Sequence, residues 1–162
     1  MKRVLLLAAT MAVILPFAAR PQAQAKPDFS GTWTLDAAKS DPPPQGRGGG
    51  GGGGGTMTIK QTATELSVQT EGRQGPQTMT YKLDGSESKN EQMGRGGAQT
   101  LVSKAKWDGS SLVIDTTREI QGMSITTHEV RKLDNGGKEM KVETTIQTPQ
   151  GEQKRNVVYN KS

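Results

Sequence analysis

Apolar side chains recur at every second position along most of the chain after residue 26, in short runs separated by glycine, asparagine or aspartate. This period of two is typical of β-strands that bury one face, and the spacing of an amphipathic helix is hard to find in the same region. The pattern predicts an all-β protein with roughly nine strands. The predicted strands lie near residues 28–35, 56–61, 65–70, 77–83, 99–107, 111–120, 124–133, 139–148 and 153–160.

Each predicted strand has one apolar face, because alternate side chains point to opposite sides of a sheet. The opposite faces carry mainly Thr, Lys, Glu and Gln, as expected for a sheet wetted on one side. A long sheet of this kind exposes its edges unless it closes, so we expect an antiparallel up-and-down meander that curls into a small barrel or half-barrel. The apolar rows are Phe29, Gly31, Trp33 and Leu35; Met57 and Ile59; Leu66 and Val68; Met79, Tyr81 and Leu83; Leu101, Ala105 and Trp107; Leu112 and Ile114; Met123 and Ile125; Met140, Val142 and Ile146; Val157 and Tyr159.

Three turns of similar sequence separate the later strands, at Asp84-Gly85, Asp108-Gly109 and Asn135-Gly136. Asp-Gly and Asn-Gly readily adopt the positive φ angles of a tight hairpin turn. The aspartates of these turns, Asp84, Asp108 and Asp134, recur at intervals of 24 and 26 residues, the length of two strands and a return, as in consecutive hairpins. Each turn offers one or two carboxylates, too few for a calcium loop, so plain turn chemistry is the favoured interpretation.

Two glycine-rich segments interrupt the alternation. Residues 41–55 contain three consecutive prolines and a long glycine run, which predicts a flexible low-complexity linker between the first two strands. Residues 92–97 form a shorter break. Neither segment is followed by the lysine and the helix that a phosphate-binding loop needs, so we expect no phosphate site there.

The N-terminus has the features of an export signal. A basic start is followed by apolar residues 4–19, and residues 23–25 read Ala-Gln-Ala, the small-x-small pattern that signal peptidase accepts. The apolar run is short and interrupted, which favours a cleaved signal over a membrane anchor, the alternative interpretation. We therefore predict a signal peptide over residues 1–25, cleavage after Ala25, no transmembrane span afterwards, and a secreted or periplasmic protein.

Composition narrows the class of protein further. Removal of residues 1–25 deletes three basic residues and no acidic one, so the formal net charge falls from +5 to +2. Charges of both signs are scattered along the strands, which gives no reason to expect a nucleic-acid partner. Residues 26–162 are enough for one domain. The chain has no cysteine, so disulfides and a lipoprotein anchor are excluded.

Candidate catalytic chemistry is sparse. The single histidine, His128, lies on a strand whose inward face we assign to Ile125 and Thr127, so it is expected to face solvent. One histidine without cysteine does not make a typical zinc site, and no Gly-x-Ser-x-Gly sequence is present. We therefore predict no catalytic residue, no metal and no cofactor. A carboxylate pair for glycoside hydrolysis remains an open alternative, because sixteen acidic residues are present.

Two short motifs resemble a known superfamily. Residues 29–33 read Phe-Ser-Gly-Thr-Trp, which is similar to the Gly-x-Trp of the first strand in lipocalins and fatty-acid-binding proteins, together the calycins. Residues 157–161 resemble the closing strand of fatty-acid-binding proteins, in which a tyrosine faces the cavity, here Tyr159. The resemblance implies a closed antiparallel barrel, with a glycine at the bend of the first strand and a tryptophan plugging that end.

The sequence also departs from fatty-acid-binding proteins. In that family a helical pair follows the first strand, where this chain has the proline and glycine segment. The family also carries an arginine two residues before the final tyrosine to meet the ligand carboxylate; here Val157 occupies that position, and Arg155 lies two residues further back. More broadly, the chain resembles exported lipocalin-like bacterial proteins of unassigned function, through residues 38–40, Ala-Lys-Ser, and 107–109, Trp-Asp-Gly.

The leading hypothesis is a non-catalytic barrel that holds a small apolar or amphipathic ligand. The alternatives are a barrel whose core is packed solid, an envelope structural or protein-interaction module, and, third, an enzyme with an unrecognised carboxylate site. The candidate ligand-binding residues are Trp33, Tyr81, Trp107, Arg155 and Tyr159.

Overall fold

A computed structural model describes residues 26–42, 55–72, 75–94, 97–120 and 122–162. The predicted signal peptide and most of the predicted linker lie outside the described residues. The strands are β1 Gly31–Leu35, β2 Thr56–Gln61, β3 Glu65–Gly72, β4 Gly75–Lys82, β5 Glu87–Gly94, β6 Gly97–Asp108, β7 Ser111–Ile120, β8 Met123–Asp134, β9 Glu139–Thr148 and β10 Gly151–Lys161, with one 3-10 turn at Asn135–Gly137.

All strands belong to one antiparallel sheet, in which each strand pairs with its neighbours in sequence except at β4 and β5, and β1 also pairs with β10. The sheet therefore wraps round on itself, and its two ends are β4 and β5. The prediction of an all-β meander that forms a barrel is confirmed. Two of the predicted hairpin turns join paired strands, at Asp108↔Ser111 and Asp134↔Glu139. The turn at Asp84 joins β4 to β5, whose backbones do not pair.

The tenth strand, β5, has no counterpart among the nine strands that the sequence predicts. Part of the segment interpreted as a glycine-rich break is a hairpin, in which Gln92 pairs with Gln99 and Gly94 with Gly97. The reason lies in the inward face of β5, where Ser88 and Asn90 are buried in place of apolar residues. A strand with polar side chains on both faces gives no alternating signal.

Those two side chains join the ends of the sheet. The Asn90 side chain accepts a hydrogen bond from the Thr80 N–H at 2.8 Å and donates one to the Thr80 carbonyl at 3.0 Å. The Ser88 hydroxyl accepts one from the Lys82 N–H at 2.8 Å. The amide of Asn90 thus takes the place of a backbone peptide, and it satisfies groups that would otherwise lie on a free edge.

The end of the barrel at β1 is closed by tightly packed apolar side chains. Trp33 and Phe29 are fully buried, and the Trp33 Nε1 donates to the Phe29 carbonyl at 2.8 Å. Gly31 has a φ of +136°, and a Cβ at this position would lie 2.6 Å from Cε of Lys161, which crosses it to stack on Trp33. The Gly-x-Trp pattern is therefore explained by this close approach.

The segment after β1 follows the outer edge of β10. Ser40 accepts a hydrogen bond from the Val158 N–H at 2.9 Å and donates to the Asp36 carbonyl at 2.6 Å. The Asp41 carboxylate accepts from the Asn156 N–H at 2.6 Å. Residues 36–41 thus cover the part of β10 that the short β1 does not reach, without forming a strand.

We expect Asn90→Ala to lower the free energy of unfolding by about 1–3 kcal/mol, because it removes two hydrogen bonds and leaves the backbone groups of Thr80 without partners. Urea denaturation followed by tryptophan fluorescence measures the loss. The matched control is Lys89→Ala, an exposed neighbour on the outer face of the same strand, for which we expect a change within about 0.5 kcal/mol. Equal effects of the two substitutions would contradict a closing role for Asn90.

Candidate ligand-binding site

Cross-strand register brings several charged side chains to the inside of the barrel. Arg131 on β8 lies between Leu112 and Val142, both buried core residues. Glu129, two residues earlier, faces inward for the same reason, next to Ile114. Side chains in register on neighbouring strands share one face, so this arginine and this glutamate belong to the interior.

Arg131 is the charged residue at the centre of this site, with 6% of its surface exposed. Its Nε donates to Oε1 of Glu129, and its Nη1 is buried with no hydrogen-bond partner among the described residues. Burial alone lowers the pKa of Arg131, but the charge of Glu129 and the nearby Tyr81 and Tyr159 outweigh it and hold the pKa above its ordinary value. The guanidinium therefore stays charged.

Two tyrosines lie near Arg131. Burial raises the pKa of Tyr81 to about 12, and the positive charge of Arg131 opposes the shift. Burial likewise raises the pKa of Tyr159, again opposed by Arg131. The Tyr81 hydroxyl donates to the sulfur of Met79 at 3.2 Å. The site thus contains one cation flanked by two neutral phenols.

The interior carries an excess of positive charge. Arg155 lies inward on β10, opposite Thr144, which in turn pairs with Glu129. Its Nε and Nη2 donate to the Asp41 carbonyl, each at 3.4 Å. Arg118 on β7 also faces inward, between Leu101 and Ile125. The guanidinium of Arg155 thus lies in an exposed contact, which leaves two arginines and one glutamate as the inward charged groups of β7 and β8, an excess that favours an anion.

Polarity changes along the barrel axis. The end at Trp33 is apolar and fully buried. Beyond the level of Glu129, inward positions carry hydroxyls, with Ser103 and Thr116 hydrogen-bonded across strands at 2.9 Å. Towards the far end, Gln77 and Gln92 face each other across the gap between β4 and β5, with their side-chain amides 3.4 Å apart. The described interior is therefore apolar at one end and able to form hydrogen bonds at the other.

The five predicted ligand-binding residues occupy different parts of the barrel. Tyr81 and Tyr159 lie beside Arg131, and Arg155 is one level further along the barrel. Trp33 belongs to the packed floor, where its Nε1 is already bonded to the Phe29 carbonyl. Trp107 is half-buried next to Phe29, with ring centroids 6.1 Å apart, and its Nε1 has no partner among the described residues.

Sequence reasoning missed the charged residues on the inward faces of β7 and β8, Arg131, Glu129 and Arg118. Arg131 and Glu129 share odd-numbered positions with Ile125 and Leu133 of the same strand. That parity was the available signal, because a strand with apolar residues at both ends of a row has one inward face throughout. Arginine and glutamate inside the row indicated a buried ion pair.

His128 points outward, as predicted: its side chain is 48% exposed, and its Nδ1 lies 2.6 Å from Asp115 on the neighbouring strand. Within the described ranges, no cluster of three or more histidine or acidic side chains is placed to hold a metal ion. The same part of the chain contains no helix that is long and apolar enough to cross a membrane.

Solved structures identify the fold. An SAHS (abundant heat soluble) protein from Ramazzottius varieornatus superposes with a TM-score of 0.58 at 16% identity, over 83% of this chain and 95% of that one. Two variants of the fluorescent protein UnaG give TM-scores of 0.50 and 0.51 at 19% identity, over 83% of this chain and 96% of theirs. The chain shares the lipocalin-like β-barrel fold of these proteins.

At this level of identity the likeness shows the fold alone. No protein-family model matches the sequence, and no curated protein matches it either. The predicted resemblance to a calycin barrel is therefore confirmed, and the resemblance to exported bacterial proteins stays a prediction.

We expect stability to fall as pH rises from about 10 towards about 12, because Tyr81 keeps its proton in the folded barrel to about pH 12 while the unfolded chain releases it near 10. Below that window both states are protonated and the contribution is constant. Urea midpoints measured across the window give the slope. In Tyr81→Phe the slope should be smaller, whereas an unchanged slope would show that Tyr81 ionises normally.

Proposed function

We propose that this calycin barrel is a non-catalytic binding protein for a small amphipathic anion, whose head group binds Arg131 inside the barrel. The single observation that carries the proposal is the buried Nη1 of Arg131, which has no partner among the described residues. A buried donor on a charged group is expensive to leave unpaired, at a cost of about 1–3 kcal/mol or more. A ligand carboxylate would remove that cost.

The surroundings of Arg131 suit such a head group. The planar guanidinium presents a fork of donors that matches a carboxylate, and the phenols of Tyr81 and Tyr159 are neutral donors at ordinary pH. The inward neighbours Leu112, Val142 and Val157 are apolar and buried, so the head group would be shielded from water. Recognition of an anion next to apolar side chains is the requirement for binding an amphiphile.

Glu129 makes the proposal testable. Its carboxylate already holds the Nε of Arg131, and it would compete with a ligand carboxylate for the same guanidinium. If the pair is only structural, in a barrel packed solid or serving as an envelope interaction module, neutralising Glu129 merely weakens the fold. If Arg131 binds an anion, neutralising Glu129 strengthens binding.

We therefore expect Glu129→Gln to raise the affinity for hexadecanoic acid. Arg131→Gln should lower the affinity by about tenfold or more, because it removes one charge-assisted hydrogen bond to the ligand. Isothermal titration calorimetry on the folded protein measures both affinities. Lys132→Gln is the matched control, since it removes the same charge from the next residue, which is exposed on the outer face. It should leave the affinity unchanged.

Circular dichroism and the thermal midpoint of each variant establish that it is folded. Saturable binding that is equal in wild type, Arg131→Gln and Lys132→Gln would place the ligand elsewhere. If neither the wild type nor Glu129→Gln binds single-chain carboxylates saturably, the result would favour the packed barrel instead.

We also propose that the protein is exported and that the mature chain begins at Lys26, on the basis of the apolar run and the Ala-Gln-Ala sequence at residues 23–25. The intact mass of the protein recovered from the cell envelope or the medium should equal that of residues 26–162. The mass of the uncleaved chain in the membrane fraction would indicate an anchor instead.

A further inference from the structure

A second arginine lies inside the barrel, far from Arg131. Arg118 is on β7, in register with Leu101 on one side and Ile125 on the other. Leu101 is a buried core residue, so the side chain of Arg118 starts on the inward face. Its position towards the end of β7 places it near the polar end of the interior, opposite the floor formed by Trp33.

Arg118 has neither a hydrogen-bond partner for its buried nitrogen nor an ion-pair partner among the described residues. Its Nε is buried with no hydrogen-bond partner among the described residues. On the inward face of β7 and β8, the charged residue nearest to Arg118 is Glu129, which is in register with Ile114, four residues before Arg118. The carboxylate of Glu129 already accepts a hydrogen bond from Arg131. In the described part of the chain, Arg118 forms no ion pair with any carboxylate. A half-buried guanidinium in this situation favours an external anion.

The register between β7 and β8 gives the distance between Arg131 and Arg118 along the barrel. Arg131 pairs with Leu112, and Arg118 lies six residues further along the same strand. At about 3.4 Å per residue, the two backbone positions are roughly 20 Å apart. A single molecule that contacts both guanidinium groups must therefore be extended, with its two polar ends about this far apart.

The surface between the arginines suits the body of such a molecule. The inward residues of β7 in this interval are Ile114 and Thr116, and Thr116 pairs with Ser103 and Thr127. This row combines aliphatic carbon with hydroxyl groups. It is compatible with a chain or ring system that is mostly apolar.

We propose that the ligand carries two anionic groups, one bound by Arg131 at the inner position and the other by Arg118 near the polar end. Its chemical class is an elongated amphiphile with acidic groups at both ends, such as an α,ω-dicarboxylic acid. This inference rests on the proposed function, because it takes Arg131 as the first anion site. Arg118 is then the residue that distinguishes a diacid from a monoacid.

The test compares acids of equal length by isothermal titration calorimetry: hexadecanoic with hexadecanedioic acid, and dodecanoic with dodecanedioic acid. We expect the wild-type protein to bind the better-fitting diacid about tenfold more tightly than its monoacid, which corresponds to one additional charge-assisted contact. Arg118→Gln should abolish the preference for the diacid, lowering the diacid affinity several-fold more than the monoacid affinity. Arg131→Gln should weaken both.

Lys104→Gln is the matched control, because Lys104 is an exposed cation on the outer face of the neighbouring strand. It should preserve the preference for the diacid. Thermal midpoints show that each variant is folded.

Equal affinity of the wild type for monoacid and diacid at both lengths would overturn the second anion site and leave the proposed function standing. Preference for the diacid that survives in Arg118→Gln would overturn the assignment to Arg118, and Arg155→Gln then shows whether the other inward arginine is responsible. If no acid of either kind binds the wild type, the proposed function itself fails, and the two failures are distinguishable.

Discussion

The pairing of the first strand with the last is the interaction on which the rest of the structure depends. Trp33 pairs with Lys161 and Leu35 with Tyr159, and the Ser162 N–H adds a hydrogen bond to the Thr32 carbonyl at 2.9 Å. This pairing converts a meander into a barrel and brings its two ends together at β4 and β5. Only in the closed barrel does one row of side chains per strand face a common interior, where buried polar groups need partners.

Much of the fold could be predicted because alternation is a local property of the sequence. The apolar rows around Trp33, Leu66 and Met140 are read directly from each strand, and all three residues are fully buried. The strand β5 escaped prediction because the partners of Ser88 and Asn90 are backbone groups of β4, which no apolar pattern reveals. Its pairing is decided by tertiary hydrogen bonding.

The sequence predicted only part of the candidate site, because here too only local signals could be used. Tyr81 and Tyr159 were found because a tyrosine in an apolar row is a local signal, and the structure brings both next to Arg131. Arg131 itself was missed, although its strand parity was visible, because a charged residue is assigned to solvent by default. Its neighbours come from strands far apart in the sequence, and register determines which side chains meet.

The segment after β1 has a consequence for how copies of this protein meet one another. The N–H and carbonyl groups of Asn156 and Val158 point away from β9, and residues 36–41 occupy all four of them. A strand from another molecule therefore finds no free row of donors and acceptors along this stretch of β10 on which to grow an intermolecular sheet. Two short polar side chains and two backbone N–H groups thus protect this edge against aggregation, in a barrel whose first strand is too short to cover it.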